Sequence, residues 1–163
     1  MIELLAAADV ELLVDVRRFP GSRRNPQYGA DALAASLATR GIDYHHAAAL
    51  GGFRKPRPDS PNDGWENESF RGYADYKATP EFADALASLE REAGERPSAI
   101  MCAEAQWWRC HRRLIADALS ARGWRVLHLG LGPEPVEHEL TPFAVVHDDG
   151  SITYPAAQGQ LPL

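Results

Sequence analysis

Several side chains that could perform chemistry fall close together in residues 100–112, where the pattern predicts that a strand gives way to a helix. They are Cys102, Glu104, Arg109, Cys110, His111 and Arg112. A carboxylate and an imidazole can transfer protons, a thiolate can act as a nucleophile, and arginines bind phosphates and carboxylates. This segment is therefore the first candidate for an active site.

The two cysteines of this segment allow thiol or metal chemistry. Thiol catalysis at Cys102 requires an exposed thiolate with a low pKa. A phosphatase or sulfurtransferase loop needs a shorter spacing than the six residues, two of them bulky tryptophans, between Cys102 and Arg109. Zinc needs four ligands, and no paired spacing of cysteine or histidine supports a complete set. The conceivable ligands would be Cys102, Cys110, His111 and His128. We therefore expect two free thiols, functional or simply packed, and no metal.

The ends of two predicted strands carry charged side chains. Residues 11–17 form a near-continuous apolar run that predicts a strand buried on both faces and ending in Asp15 and Arg17. A second strand, residues 98–104, is expected to be central and to end in Glu104. Ligands bind beyond the carboxyl ends of parallel strands, which makes these side chains candidates for one site. Alternatively, Asp15 and Arg17 simply satisfy each other, because a buried carboxylate needs a partner.

Strand and helix patterns alternate along the rest of the chain. Predicted helices cover residues 30–40, 79–94 and 109–122, and further strands cover residues 42–48 and 125–130. Residues 143–147 and 151–154 flank a turn signal that predicts a β-hairpin. The loop over residues 50–65 is long enough for a lid or for disorder. We therefore expect one α/β domain over residues 1–163, three-layer, with a mainly parallel sheet, helices on both faces and a small C-terminal β-hairpin.

Composition and charge narrow the possible partners. No apolar run approaches the roughly 20 residues that a membrane span needs, and no basic segment leads into a signal-peptide core, so we expect a cytoplasmic protein. The net charge of -6 argues against indiscriminate binding of polyanions. Ten of the 17 lysines and arginines nevertheless lie in residues 17–24, 54–57 and 109–113. These segments are either solvated loops or one basic mouth for an anionic ligand such as DNA, RNA or a nucleotide.

The arginines at the start of the last predicted helix need a negative partner. Arg109 and Arg112 lie where the helix dipole is positive, which disfavours cations. Glu104 or a bound anion could supply the negative charge. Cys110 and His111 precede two apolar residues by one turn, so His111 is either a site residue or a satisfied core histidine.

Short motifs that run over nearly the whole chain resemble a known family. They are Asp15, Arg17, Pro20 and Ser22; Tyr44; Leu50 to Gly52; Phe70, Tyr73 and Tyr76; Met101, Cys102 and Glu104; Cys110, His111 and Arg112; and His128 and His138. This set is similar to the bacterial and archaeal domain-of-unknown-function family 488, which implies a compact α/β domain without an established activity. Members of that family usually begin with a strand carrying a Thr-Ile-Gly-His-Ser-like motif. Met1 opens the helix that should follow it, so we expect that first strand to be lacking through a misassigned start, or supplied by another chain.

The sequence favours an enzyme that acts on a nucleic acid or a nucleotide, most concretely by cleaving the N-glycosidic bond of a base. Such a reaction needs a carboxylate, a proton donor and cations that hold phosphates. The candidates are Asp15 or Glu104 for the carboxylate, His111 or His128 for the donor, and Arg17, Ser22, Arg23, Arg109 and Arg112 for substrate binding. No dinucleotide-binding or P-loop motif is present, and we expect no cofactor. The alternatives are a non-enzymatic nucleotide-, anion- or partner-binding module and a cysteine-dependent enzyme that uses Cys102. The sequence leaves the oligomeric state open.

Overall fold

The computed structural model describes residues 1–157 of the chain. Its helices are α1 (Ile2–Ala7), α2 (Ala30–Ala38), α3 (Glu68–Tyr76), α4 (Pro80–Glu95) and α5 (Arg112–Ala121). Its strands are β1 (Leu12–Asp15), β2 (Asp43–His46), β3 (Ser98–Met101), β4 (Leu127–His128), β5 (Val136–Glu137), β6 (Val145–Val146) and β7 (Ile152–Thr153). Short 3-10 turns cover Pro26–Tyr28, Ala48–Leu50 and Trp107–Arg109. Among the helices of this region, none is long and apolar enough to cross a membrane.

The main sheet has three parallel strands in the order β2-β1-β3. All four residues of β1 are buried, whereas every residue of β3 is only half-buried. The strand predicted over residues 98–104 was expected to be central, and this was wrong because β3 lies at an edge of the sheet. The central position belongs to β1 because its apolar run can be buried on both faces.

Alternate side chains of β1 enter two hydrophobic clusters. Leu12 and Val14 pack with residues of α3, α4 and α5, including Leu114. Leu13 packs with residues of α1 and α2, including Leu33. Successive side chains of a strand point to opposite faces, so one short strand anchors both clusters. Each fully buried leucine contributes about 1.5–3 kcal/mol to this core.

The segment predicted as a fourth parallel strand, residues 125–130, does not join the main sheet. Only β4 forms there, and it pairs antiparallel with β5 in a separate two-stranded sheet. Gly130 adopts a positive φ of 83°, so the chain turns back and pairs with the segment that follows. The predicted C-terminal hairpin is confirmed, because β6 and β7 pair antiparallel around Gly150, which also has a positive φ of 79°.

The predicted start of α4 is confirmed, whereas the predicted start of α5 was wrong. The predicted cap of α4 is present, since the hydroxyl oxygen of Thr79 accepts the amide of Phe82 at 3.3 Å and Pro80 is the first helical residue. The last helix, predicted from residue 109, begins only at Arg112. A 3-10 turn and an extended Cys110, with φ of -130°, interrupt the chain before it. The interruption places the reactive segment in a loop.

The long loop over residues 50–65 is held by α3. The carboxylate of Asp75 accepts the amide of Arg57 at 2.8 Å, the hydroxyl of Ser60 at 2.6 Å and the side-chain amide of Asn62 at 2.8 Å. The hydroxyl of Tyr73 donates to a carbonyl at the start of the same loop, 2.7 Å away. Buried polar groups of α3 therefore fix a segment whose composition allowed disorder.

Candidate functional site

A cleft of about 510 Å³ opens beyond the carboxyl ends of β1 and β3. Its wall is formed by Arg17, Arg18, Phe19, Gly52, Phe53, Ser69, Phe70, Cys102, Ala103, Glu104, Arg109, Cys110 and His111. These residues come from the loop after β1, the loop held by α3, the start of α3 and the loop between β3 and α5. Parallel sheets bind ligands at this edge, and the cleft is thus the main candidate site.

Cys102, Cys110 and His111 meet at this cleft. One donor atom from each of the three side chains lies within 4.8 Å of the donor atoms of the other two. Cys110 is buried, while Cys102 and His111 are half-buried. Both cysteines are free. The loop between β3 and α5 folds back and brings Cys110 and His111 next to Cys102.

The protonation of His111 follows from its partners. Its Nε2 lies 3.0 Å from the carbonyl oxygen of Val16, which can only accept, so Nε2 carries the proton. Its Nδ1 then offers a lone pair and lies 3.6 Å from Sγ of Cys110. A Cβ atom at Gly52 would stand 3.0 Å from this Nδ1. The glycine leaves the space beside the imidazole open.

The pKa values of the two thiols are shifted in opposite directions. A hydrogen bond from the Cys110 thiol lowers the pKa of Cys102 to about 4, with further support from His111 and from the backbone amide of Glu104, while burial opposes the shift. The pKa of Cys110 is raised, first by its hydrogen bond to Cys102 and then by burial. The two shifts share one cause, because a proton held by Cys110 favours a thiolate at Cys102.

Asp15 is committed to a buried network. Its two carboxylate oxygens accept the Arg17 guanidinium at 2.8 and 2.5 Å, and one of them also accepts the Tyr44 hydroxyl at 2.7 Å. Asp15 is 0% exposed. Burial opposes ionisation, but the bonds from Arg17 and Tyr44 overcome it, and the pKa of Asp15 is lowered. The sequence allowed either a role in the site or a mutual pairing of Asp15 and Arg17, and the structure shows the pairing.

Two exposed phenylalanines stand at the mouth of the cleft. Phe19 is 72% exposed and Phe53 is 81% exposed. Arg18 lies between their loops, since its guanidinium donates to the Phe53 carbonyl at 3.2 Å and sits 5.8 Å from the Phe19 ring. Phe53 also has a positive φ of 61°, which is uncommon for a bulky residue and is found most often where function maintains the strain. Together with Arg109, these side chains give the cleft a cationic and aromatic rim.

Glu104 lies in the wall of the cleft but not on a strand. β3 ends at Met101, so the prediction that Glu104 closes the strand was wrong. Its side chain is exposed and accepts only a long bond, 3.4 Å, from the amide of Gln106. Arg112 donates to the backbone carbonyl of Glu104 rather than to its carboxylate. This carboxylate remains accessible for chemistry in the cleft.

The predicted basic mouth forms in part. Arg17, Arg18 and Arg109 reach the cleft, although Arg17 is neutralised by Asp15. Arg54 instead lies 3.5 Å from the centre of a tyrosine ring in α3. Three predicted substrate residues are not in the cleft wall: Ser22, Arg23 and Arg112. The Ser22 hydroxyl accepts the amide of Asn25 at 3.0 Å.

His128 lies in a different network. Its Nε2 is 2.9 Å from Nδ1 of His138, whose own Nε2 donates to Asp117 at 2.9 Å. Its ring stacks on Trp107 with 3.8 Å between centroids. Tyr154 also donates to Asp117, at 2.8 Å. Burial, followed by repulsion from His138, lowers the pKa of His128 to about 4. The structure thus separates His128 from the cleft that contains His111.

The aromatic rim and the Tyr44 partner of Asp15 were not predicted from the sequence. Phe19 and Phe53 each stand next to arginine in a loop, and Phe53 follows two glycines, a pattern that could have marked an exposed ring. Nothing in the local pattern marks Tyr44, because its contact with Asp15 depends on the pairing of β1 with β2.

The cleft can bind an anionic group, stack a planar ring and present a thiolate, an imidazole and a carboxylate. All residues in its wall lie between positions 17 and 111. Comparison with curated proteins and with solved structures finds no match. Comparison with family models finds a match over residues 1–119, which includes the whole cleft wall. The chain therefore belongs to the family described as Domain of unknown function DUF488.

Proposed function

We propose that this protein is an enzyme that hydrolyses a nucleotide or a nucleic acid in the cleft. One observation carries the proposal: free cations, exposed aromatic rings and an accessible carboxylate share the same cleft wall. In this proposal the protein is a three-layer α/β domain and works in the cytoplasm. Reducing conditions there keep Cys102 and Cys110 as free thiols.

Substrate binding is assigned to the rim. Arg18 and Arg109 hold phosphate oxygens through charge-assisted hydrogen bonds. Phe19 and Phe53 stack against a base, since every base offers a planar face to an aromatic side chain. Such stacking is worth about 1–3 kcal/mol per base. An unpaired base is required, which favours a mononucleotide or a single strand over a closed duplex.

The reaction is assigned to Glu104. Cleavage of an N-glycosidic bond needs a carboxylate that activates water or stabilises a cationic sugar. Asp15 is withdrawn from this role by Arg17 and Tyr44, whereas Glu104 faces the cleft without an ion pair. Asp15 instead holds the Arg17 side chain in the cleft wall through their ion pair. His111 lines the cleft and His128 does not, so any contribution of an imidazole falls to His111.

A cysteine-dependent enzyme is the second candidate. The observation that favours it is the lowered pKa of Cys102, about 4, in a half-buried thiol of the cleft wall. A thiolate in this position could attack an electrophilic centre of the same anionic substrate.

The test combines binding and turnover. Wild-type protein would be titrated with fluorescent single-stranded DNA and RNA and with mononucleotides at several salt concentrations, and incubated with oligonucleotides that contain modified bases. We expect Arg109→Ala and Phe53→Ser to weaken binding, with a salt dependence that is smaller for Arg109→Ala. Arg125→Ala is the matched control, because Arg125 is exposed and pairs with Glu137 away from the cleft.

The variants at the reacting groups distinguish the candidate functions. Loss of turnover in Glu104→Gln with retained binding supports the hydrolase. Turnover that survives in Glu104→Gln but is lost in Cys102→Ser identifies the cysteine-dependent enzyme. Binding without any turnover identifies a binding module, and absence of binding to every nucleotide and oligonucleotide contradicts all nucleotide-directed functions.

A further inference from the structure

We propose that Cys102, Cys110 and His111 bind a zinc ion whose fourth coordination position opens into the cleft. This departs from the sequence-based expectation that no metal is bound. The reaction that the ion would assist rests on the proposed function, but the metal site itself is tested independently of any substrate.

The donor set fits zinc. Thiolate sulfur and imidazole nitrogen are the ligands that zinc prefers, and two cysteines with one histidine are known as a three-ligand catalytic set. The donor atoms of Cys102, Cys110 and His111 already lie within 4.8 Å of one another. Within residues 1–157, no other group of three potential ligands from histidine, cysteine or acidic residues comes together in this way.

The distance within one ligand pair agrees with a tetrahedral site. Zinc bonds to sulfur and nitrogen imply a separation of about 3.6 Å between a cysteine Sγ and a histidine nitrogen on the same ion. Sγ of Cys110 and Nδ1 of His111 are 3.6 Å apart. The sulfur of Cys102 lies within 4.8 Å of both of these atoms and belongs to a half-buried side chain.

The second nitrogen of His111 is held as it is in metal sites. Histidines that bind metals usually donate their other ring N-H to a carbonyl or a carboxylate, which fixes the tautomer and the ring orientation. His111 donates Nε2-H to the carbonyl of Val16 at 3.0 Å. The lone pair of Nδ1 is therefore aimed toward Cys110 without any change of tautomer or rotamer.

The surroundings leave room for the ion beside the imidazole. The Cβ position of Gly52 lies 3.0 Å from Nδ1, so a side chain there would crowd the nitrogen that must bind the metal. The buried cation of the cleft wall, Arg17, is neutralised by Asp15 through bonds of 2.8 and 2.5 Å. A small residue therefore stands beside the donor nitrogen, and the charge of Arg17 is already compensated.

Among residues 1–157 no fourth potential ligand joins the three, and this distinguishes a catalytic from a structural site. His128, the fourth candidate in the sequence, is bonded to His138 and stacked on Trp107, 3.8 Å away. Structural zinc sites have four protein ligands, whereas catalytic sites leave one position to water or substrate. Here the open position faces the cleft that also holds Glu104.

The ion would explain how a hydrolase works in this cleft. Zinc lowers the pKa of a bound water molecule. With the ion held by Cys102, Cys110 and His111, Glu104 in the cleft wall would accept a proton from the activated water while the water oxygen bonds to the electrophilic carbon of the substrate and the bond to the leaving group breaks. The leaving group would take the proton from Glu104, which would complete a hydrolysis with no other reactant than water.

The experiment is a titration of reduced, metal-free protein with cobalt(II), followed by zinc. We expect one cobalt per chain, with the thiolate-to-cobalt charge-transfer band and the visible bands of tetrahedral cobalt, and complete displacement by zinc. Zinc should also protect Cys102 from iodoacetamide. A folded wild-type protein that shows no charge-transfer band, or whose Cys102 is alkylated equally with and without zinc, overturns the proposal.

The variants are chosen so that folding and binding can be separated. Cys102→Ser changes a half-buried side chain, and His111→Gln keeps an N-H for the Val16 carbonyl but removes the nitrogen donor. Each should weaken cobalt binding by more than about tenfold, since even changes to outer-shell partners cost that much. His147→Gln, in the exposed C-terminal hairpin, should bind like wild type. Unchanged binding in folded Cys102→Ser and His111→Gln overturns the site.

Failure of this proposal and failure of the proposed function give different results. A tetrahedral cobalt spectrum without nucleotide binding leaves the metal site and removes the nucleotide-directed function. Nucleotide turnover by protein that takes up no cobalt or zinc removes the metal site and leaves the function.

Discussion

His111 donates its Nε2 proton to the carbonyl of Val16 across 3.0 Å. Val16 directly follows β1, and His111 directly precedes α5, so the bond joins two segments that are distant in the sequence. The same bond fixes the imidazole with Nδ1 toward Cys110. One hydrogen bond thus sets both the position of the reactive loop and the tautomer of its histidine.

Replacing His111 by leucine should destabilise the protein through the Val16 carbonyl. Val16 is fully buried, and a buried acceptor left without a partner costs about 1–3 kcal/mol. His111→Gln should recover most of this loss because its amide can donate at a similar position. The free energy of unfolding in urea would be compared for the two variants, and equal destabilisation would show that the bond is not the cause.

Asp15→Asn should be strongly destabilising although Asp15 does not act in the proposed reaction. The substitution leaves the buried Arg17 without its counter-ion, and breaking a buried ion pair costs about 3–5 kcal/mol. Urea unfolding measures this directly. The control is Glu104→Gln, whose exposed side chain should change stability by no more than about 0.5 kcal/mol. A stable Asp15→Asn protein with normal urea unfolding would contradict the assigned role.

His128 should make stability fall in mild acid. Its pKa is lowered from 6.5 to about 4, so between these values the unfolded chain binds more protons than the folded chain. The stability that neutral His128 contributes is fully present above pH 6.5 and is lost as the pH falls toward 4. By the size of the shift, it amounts to about 3 kcal/mol at most.

The matched variant for this pH effect is His128→Gln. Its amide can donate to His138 as the imidazole does, but it cannot be protonated in this range. We expect the free energy of unfolding of the variant to vary less between pH 6.5 and 4 than that of wild type. Parallel pH profiles for the two proteins would show that His128 does not titrate differently in the folded and unfolded states.

Asp75→Ala should loosen the loop that carries Phe53. The substitution removes the acceptor of three hydrogen bonds, from Arg57, Ser60 and Asn62, and should cost about 2–4 kcal/mol. Amide hydrogen exchange should accelerate in residues 57–62. Asp84→Ala, on an exposed face of α4, is the control and should leave exchange in that loop unchanged. The assignment fails if the loop exchanges equally fast in both variants.

Several elements of the fold follow from local signals in the sequence. The apolar run of β1, the Thr79 cap of α4 and the turn at Gly150 all depend on neighbouring residues, and all are present in the structure. The family also follows from the sequence, because its match extends over residues 1–119. Such features could be predicted because propensity, capping and periodicity act over a few residues.

Which reactive groups meet is set by the packing of distant segments and not by local signals. The three candidate ligands Cys102, Cys110 and His111 converge because a loop before α5 folds back onto the end of β3. Asp15 is occupied by Tyr44 because β2 pairs beside β1, and His128 is removed from the cleft because β4 pairs with β5 rather than with the main sheet. These outcomes depend on contacts between distant segments, whose free energies come from burial and pairing in the complete fold and leave no spacing in the sequence.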